Sequence, residues 1–220
     1  MTYIVGIDPG EHGAVAIIPA YAFRGVIAMS MDKNTMSDIY LYLSELRGGS
    51  VWQRAKPVIP LKRELNYIRA RGPAIPKEEN DDTGMEIYLE EPGAIVVNNL
   101  VTKDSKGKKD STKALLAGMA ASRSLGRSVG QWEGISTALH ILPTLVAPKK
   151  WQGRLKCPTR GDKRISLNLA KKVFWFLTNA KGESTITHST ADALLIALYG
   201  YLQTANPKYI PKSVADNIPI

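Results

Sequence analysis

The chain has 220 residues, enough for one sizeable core or one domain carrying an insertion. It is 44% hydrophobic and 22% charged, as in an ordinary soluble globular protein, with no apolar run near the ~20 residues of a membrane span. Its 29 Lys and Arg against 20 Asp and Glu leave a formal charge of +9, which suits a polyanionic partner unless the surface is merely basic, and where the charges sit decides between the two.

One cysteine, Cys157, excludes an internal disulfide, and with three histidines it offers no zinc-ligand spacing. A reducing intracellular compartment, the cytoplasm, fits. A strand opens almost at the first residue, which leaves no room for a signal or transit peptide.

Residues 4–18 run apolar into Asp8, break at Pro9-Gly10, and leave in a second apolar run after Gly13. A hairpin with a turn aspartate gives that pattern. So does a covered central strand ending in a functional acid, because the run is apolar on both faces. Gly10 and Gly13 then keep the backbone slim enough for a charged substrate or a metal to come close. Residues 15–18 and 26–29 read as the next two strands of a meander. Met36, Ile39, Tyr40, Leu43 and Leu46 recur at helical spacing, with Asn34 or Ser37 as cap and Gly48-Gly49 as stop.

Residues 50–84 change character: four prolines, a basic stretch and an acidic cluster read as an insertion or long ordered loop. Leu61, Leu65 and Ile68 suggest one short helix inside it. Residues 85–89 resume a strand that runs into Glu90-Glu91 and then Pro92-Gly93, repeating the arrangement at Asp8. Solvated strand ends often carry glutamates, but the repetition favours two strands aiming acid at one place. Glu90 and Glu91 point to opposite faces, so one of them serves. Residues 96–110 read as loop, with Lys103, Lys106, Lys108 and Lys109 exposed.

A long helix starts at Ser111. Ala114, Gly118, Ser122, Gly126, Gly130, Gly134 and Ala138 fall at every fourth position, and each glycine costs about 1 kcal/mol relative to alanine. Such a strip favours close packing on the sheet or another helix, with a kink or break near Gly126. Residues 141–147 read as a buried strand ended by Pro148. The most basic region follows: Lys149, Lys150, Arg154, Lys156, Arg160, Lys163 and Arg164, with Trp151 near its start. Charge runs usually form a solvated face; here their concentration after a strand end favours a phosphate track. Asp162 is expected to cap a helix burying Ile165, Leu169, Val173 and Phe176, with Lys171 and Lys172 on its polar side.

The last helix starts near residues 187–189 and is apolar nearly all round, hence buried. Asp192, read in its first turn, is costly to bury unpaired, and the helix dipole relieves it only in part. A metal ion relieves it further, and His188, one turn earlier, can converge with it. The alternative is an N-terminal acid beside a capping neighbour. Residues 206–220 read as an irregular arm.

In outline, residues 4–18 with Asp8, Leu89-Glu90, the run Val146-Ala147-Pro148-Lys149-Lys150-Trp151, and residues 188–197 with Asp192 resemble the RuvC-type Holliday junction resolvases, most closely phage-encoded and plastid-type members. The resemblance covers most of the chain in order, without residues 50–84 and the tail. It implies an α/β protein of RNase H-like fold: a five-stranded mixed sheet flanked by helices, forming a single domain over residues 1–205. In that fold the first and fourth strands are neighbours, and the last helix brings its N-terminus over them.

The resemblance further implies that Asp8, Glu90 and Asp192 bind metal. Bacterial members often place an acid or histidine three residues before the last aspartate, where this chain has Ser189. His188, one place earlier, is taken as the fourth catalytic position. Three carboxylates suit Mg²⁺, with Mn²⁺ as substitute. Two ions about 4 Å apart would serve an in-line displacement at phosphorus. Lys149, Lys150, Arg154, Lys156, Arg160 and Lys163 would track the DNA. The implied partner is a four-way or other branched DNA, nicked symmetrically by a homodimer with no membrane involved. A nuclease for flaps or forks would use the same residues. A non-catalytic junction-binding protein would not need all three acids. An actin-like ATPase has a similar first strand, but this chain is short for two lobes and lacks a second phosphate loop.

Overall fold

Alternation along the first strand divides the protein into two layers. In β1 (Thr2–Asp8), Tyr3, Val5 and Ile7 are buried against one face of the sheet and Ile4 against the other. β2 (Ala14–Pro19) pairs antiparallel with β1, and β3 (Ile27–Ser30) antiparallel with β2. α1 (Met36–Leu46) follows, and the two-residue β4 (Ile68–Arg69) then adds to the β3 edge. On the other side of β1, β5 (Gly84–Glu90) pairs parallel with it. A two-stranded ribbon, β6 (Thr102–Lys103) and β7 (Lys109–Asp110), precedes α2 (Ser111–Ala138). β8 (Thr144–Val146) closes the sheet parallel to β5, giving the order β4-β3-β2-β1-β5-β8. The expected mixed sheet of five strands is there, with β4 as a short addition. This computed structural model describes residues 2–10, 12–32, 34–47, 68–69, 84–91, 102–103, 109–157, 162–204 and 210–218.

Helices cover both faces. Ile39 and Leu43 of α1 and Trp132 of α2 pack with Val5, Ile7, Ile87 and Leu89 on one. On the other, α3 (Pro148–Arg154), α4 (Arg164–Val173), α5 (His188–Thr204) and α6 (Lys212–Ala215) pack with Ile4, Ala16, Ile18 and Tyr88. Among the described residues no helix is long and apolar enough to cross a membrane.

Several local expectations need correction. Thr35, rather than Asn34 or Ser37, caps α1: its hydroxyl accepts from Asp38 N at 3.2 Å, and Asp38 Oδ2 accepts from Thr35 N at 2.9 Å. The Asn34 amide instead donates to the Ser30 carbonyl. Ile68 lies in a strand, not a helix, because the β3 edge offers backbone partners; the remainder of residues 50–83 lies outside the described residues. Within the expected loop 96–110, Lys103 and Lys109 fall in the β6–β7 ribbon, while Lys106 and Lys108 lie outside the described residues. Of residues 141–147 only Thr144–Val146 form strand, and Leu142 is 93% exposed, since β8 is the outermost strand. Pro148 begins α3, where its missing N–H costs nothing. The tail is not wholly irregular: Val214 and Ile218, in and just after α6, are buried in the core.

α2 runs unbroken for 28 residues, with no stop at Gly126. Among its described side chains, Val129, Trp132, Ile135 and Ser136 make the packed side, which leaves Gly126, Gly130 and Gly134 facing outward. A Cβ built on Gly126, Gly130 or Gly134 meets nothing within 4 Å. Each of these glycines changed to alanine is therefore expected to raise stability by roughly 0.5–1 kcal/mol. Urea unfolding measures it, and a loss of stability would show that the strip meets another surface.

Candidate metal centre

The placement of α5 depends on the absence of side-chain bulk where it crosses β1. A Cβ on Gly6 would lie 2.5 Å from the Ala193 carbonyl oxygen and 2.7 Å from Ala197 Cα, so the helix backbone rests directly on the strand. One further turn on, Gly200 makes room for the Tyr88 ring and Ile4. Ala193, Ala197 and Gly200 recur at i, i+4 and i+7, giving the slim face that this contact requires. The same crossing sets the start of α5 over the C-terminal ends of β1 and β5. Hydrogen bonds between Thr187 and Thr190, with Thr187 N donating to Thr190 Oγ1 at 3.0 Å, hold that start.

Three carboxylates come near one another there, within reach of each other's charge. Asp8 ends β1 on the α5 side of the sheet, two residues beyond Gly6. Ile7 pairs with Leu89, so the next step of the same register sets Asp8 beside Glu90. Glu90 shares the face of Tyr88, and Glu91 falls on the other, its N–H bonded to the Val146 carbonyl. Asp192 follows from α5, which starts at His188, so it lies just past the first turn rather than in it as expected. All three side chains are half-buried. Gly10 N donates to Asp8 Oδ1 at 3.0 Å, and Trp151 Nε1 donates to Glu90 Oε1 at 3.0 Å. The Ser128 hydroxyl of α2 donates to the Pro9 carbonyl, fixing the turn after Asp8.

The cluster is short of positive charge. Burial raises the Asp8 carboxyl, the Gly10 N–H lowers it, and the Asp192 charge raises it further. Glu90 is pushed up to about 8, first by burial and then by Asp8, against the hydrogen bond from Trp151. Burial likewise raises Asp192, opposed by the Ser166 hydroxyl and the charges of Lys163 and His188. Asp192 Oδ1 is fully buried with no hydrogen-bond partner. Among the described residues no three acidic, histidine or cysteine side chains stand close enough as placed to form a ligand set. Oxygen donors of one type, mutually repelling and with one atom orphaned, nevertheless fit a hard divalent cation in chemistry and in unmet demand for charge.

That demand has a measurable consequence. The ordinary Glu90 value of 4.5 becomes about 8 in the fold, so the native state holds a proton that the unfolded chain has released. Its contribution to stability is full below about 4.5 and is lost as pH rises through about 8. Asp8 and Asp192 are shifted in the same direction. In chelator, the melting temperature is expected to fall with pH over about pH 5 to 9, and Mg²⁺ to restore more of it the higher the pH. Glu90→Gln should flatten both trends. A Mg²⁺ shift unchanged by pH and retained in that variant would remove Glu90 from the centre.

The basic region divides. Lys149 and Lys150 are exposed on α3 while Trp151 is buried beneath them; Arg154 is half-exposed and Lys156 exposed. Lys163 is exposed at the cap of α4, and its charge is felt at Asp8, Glu90 and Asp192. Arg160 lies outside the described residues. His188, first residue of α5, is exposed; its charge reaches Asp192 and Asp162, and among the described residues it makes no hydrogen bond. Ser189 is half-exposed beside it. Asp162 does cap α4, accepting from Arg164 N at 3.0 Å, although Lys163 is the boundary residue. Of the expected buried face of α4 and the turn after it, Val173 is buried and Leu169 and Phe176 pack partly buried against the core, but Ile165 is 39% exposed, and Ser166 and Ala170 face inward. Small residues there let α4 approach α5 and bring Ser166 to Asp192.

Trp151 and Ser166 as partners of the acids were not anticipated. The signal for the first was a tryptophan inside a lysine run just after a strand end. Ser166 carried none. His12, in the turn after Asp8, has its Nδ1 atom 2.8 Å from Asp32 Oδ1 at the same sheet edge. No protein-family model and no curated protein matches the chain.

Proposed function

We propose that the protein is an RNase H-like, RuvC-type endonuclease that resolves four-way DNA junctions by metal-dependent phosphodiester hydrolysis, acting as a homodimer in the cytoplasm of a bacterium or phage-infected host. The carrying observation is the convergence of Asp8, Glu90 and Asp192 from β1, β5 and α5 at one sheet edge, with Asp192 Oδ1 buried and unpartnered. The sheet order and the helices on both faces support the fold that this reading requires.

In this reading Asp8, Glu90 and Asp192 hold the metal, and Mg²⁺ or Mn²⁺ supplies Lewis acidity toward the attacking water and the leaving 3′-oxygen. Gly10 N–H and Trp151 Nε1–H fix the Asp8 and Glu90 carboxylates, so their free oxygens are aimed before substrate arrives. Ser166 lies near Asp192 and lowers its carboxyl, while its hydroxyl donates to the Lys163 carbonyl at 3.1 Å. Lys163 meets the phosphate nearest the acids and offsets its charge. His188, exposed at the rim, orients the water. Products with 5′-phosphate and 3′-hydroxyl ends follow from that polarity.

Labelled four-way junction, flap and linear duplex, incubated with and without Mg²⁺, test the proposal. Paired symmetric nicks in the junction with Mg²⁺ alone are expected. Preferential flap cleavage would reassign the substrate, and binding without cleavage in any divalent metal would remove the enzyme. Replacing Lys149, Lys150 and Lys156 together by alanine should weaken binding to every DNA shape. For three lost phosphate contacts the slope of log affinity against log salt should fall by roughly 2 to 3. An unchanged slope at wild-type stability would make these lysines an ordinary solvated face.

A further inference from the structure

The end of the sheet opposite the acids carries an aromatic corner that cleavage does not use. There Tyr3 pairs with Pro19, whereas Asp8 pairs with Ala14 at the acid end. Just past Pro19, the short 3-10 turn Phe23–Gly25 sets Phe23 flat on Phe174, centroids 5.2 Å apart and planes 12° from parallel. Phe176 stands edge-on to both. Trp175 meets Phe176 at 83° and 6.0 Å, and is 56% exposed. The Arg24 guanidinium carbon lies 5.5 Å from the Trp175 ring centre and 6.0 Å from that of Phe176, in the angle between the two rings.

Such a corner orders a charged group without neutralising it. Among the described residues neither Arg24 nor the exposed Lys171 and Lys172 has a carboxylate partner. A guanidinium layered on indole keeps its charge and donors while losing little further freedom on binding. α4 connects this corner to the acid cluster: Lys163 at its start acts on the carboxylates, and Trp175 lies two residues past its end, roughly 15 Å on for ten helical residues. Its exposed Asn168, Lys171 and Lys172 line the way at i, i+3 and i+4.

We propose that Arg24, Trp175, Lys171 and Lys172 form a second nucleic-acid contact that takes an unpaired DNA strand, with a base stacked on Trp175 and phosphates held by the three cations. An exposed indole face beside a guanidinium is the pairing that sequence-tolerant single-strand binders use, stacking for the base and charge for the backbone. An acidic peptide would need the charges but not the flat ring. The contact goes beyond the nuclease reading and does not depend on it, because it is measured without cleavage.

The test titrates the full chain, in chelator, with a short oligothymidylate while following tryptophan emission and oligonucleotide anisotropy. Trp132 and Trp151 are buried, which makes Trp175 the responsive ring among the described residues. Quenching is expected in the wild type and lost in Trp175→Phe, with affinity largely kept. Trp175→Ala should weaken binding about fivefold or more. Arg24→Ala should weaken it too and lower the salt slope by about 0.7. Circular dichroism melts near wild type would show that these surface changes leave the fold intact. Wild-type affinity in folded Trp175→Ala overturns the proposal, as does equal quenching in Trp175→Phe. Quenching by polyglutamate and not by oligothymidylate would assign the corner to an acidic protein partner instead.

Discussion

Asp8→Asn, Glu90→Gln and Asp192→Asn should each abolish strand cleavage while leaving junction binding in place. In the proposed centre each removes one of three charged oxygen donors: Asp8 and Glu90 are the adjacent ends of paired strands, and Asp192 comes from the helix above. Trp151→Phe supplies an internal ruler, because it keeps an aromatic ring in the core and removes the N–H that steadies Glu90 along with part of the indole. Loss of such a supporting group costs roughly 10- to 100-fold, and the three acid variants should fall well beyond it. Glu91→Gln, on the opposite face, should cleave normally. The acid variants should also be more stable than the wild type in chelator above neutral pH, since each removes a carboxylate whose ionised form burial disfavours. A merely structural acid would show the reverse. Single-turnover cleavage, band-shift affinity and melting in chelator together decide. Wild-type cleavage in any one variant removes that residue from the site. His188→Ala and Ser189→Ala in the same series show which of the two occupies the fourth position.

What the sequence made legible was local. Asp8 and Glu90 stood out because each ends an apolar run before a Pro-Gly break; strand alternation said that only one of Glu90 and Glu91 could serve, and the resemblance, not the alternation, selected Glu90. Asp192 stood out as an acid in a helix apolar all round. The features that escaped are those decided by a distant element. At the start of α4, Ser166 faces inward near Asp192 while Ile165 stays exposed; hydrophobic spacing had favoured Ile165 there, although it placed Leu169, Val173 and Phe176 correctly. Trp151 was marked only by its place beside the basic run and in the motif that carries the resemblance, and it is a buried partner of Glu90. The glycine row of α2 suggested tight packing and a break, yet three of its members face open space in a continuous helix. Val214 and Ile218 sit in a segment whose prolines signalled irregularity, but the groove beside α4 gives them somewhere to be buried. The sheet was the easier part because covered strands announce themselves residue by residue; side-chain partners across elements do not.

Gly6 is the other position where a single change should have a large effect. It reads in sequence as one small residue in an apolar strand. In the fold, a methyl group there would press on the backbone of α5 at Ala193 and Ala197, atoms that cannot swing aside as a side chain can. Gly6→Ala must therefore push α5 off β1, opening the best-buried part of the core; an overpacking cost of about 3 kcal/mol or more is expected. Gly200→Ala is the control. Its methyl group would meet the Tyr88 ring, and that ring can move, so the loss should be smaller. Urea unfolding of the two variants checks the order. The displacement also lifts Asp192 away from Asp8 and Glu90, so whatever Gly6→Ala protein remains folded should bind Mg²⁺ more weakly than folded Gly200→Ala. Equal stability losses in the two variants would mean that the sheet yields under α5 rather than the helix moving. Undiminished Mg²⁺ binding in folded Gly6→Ala would mean that the acids do not depend on this crossing for their convergence.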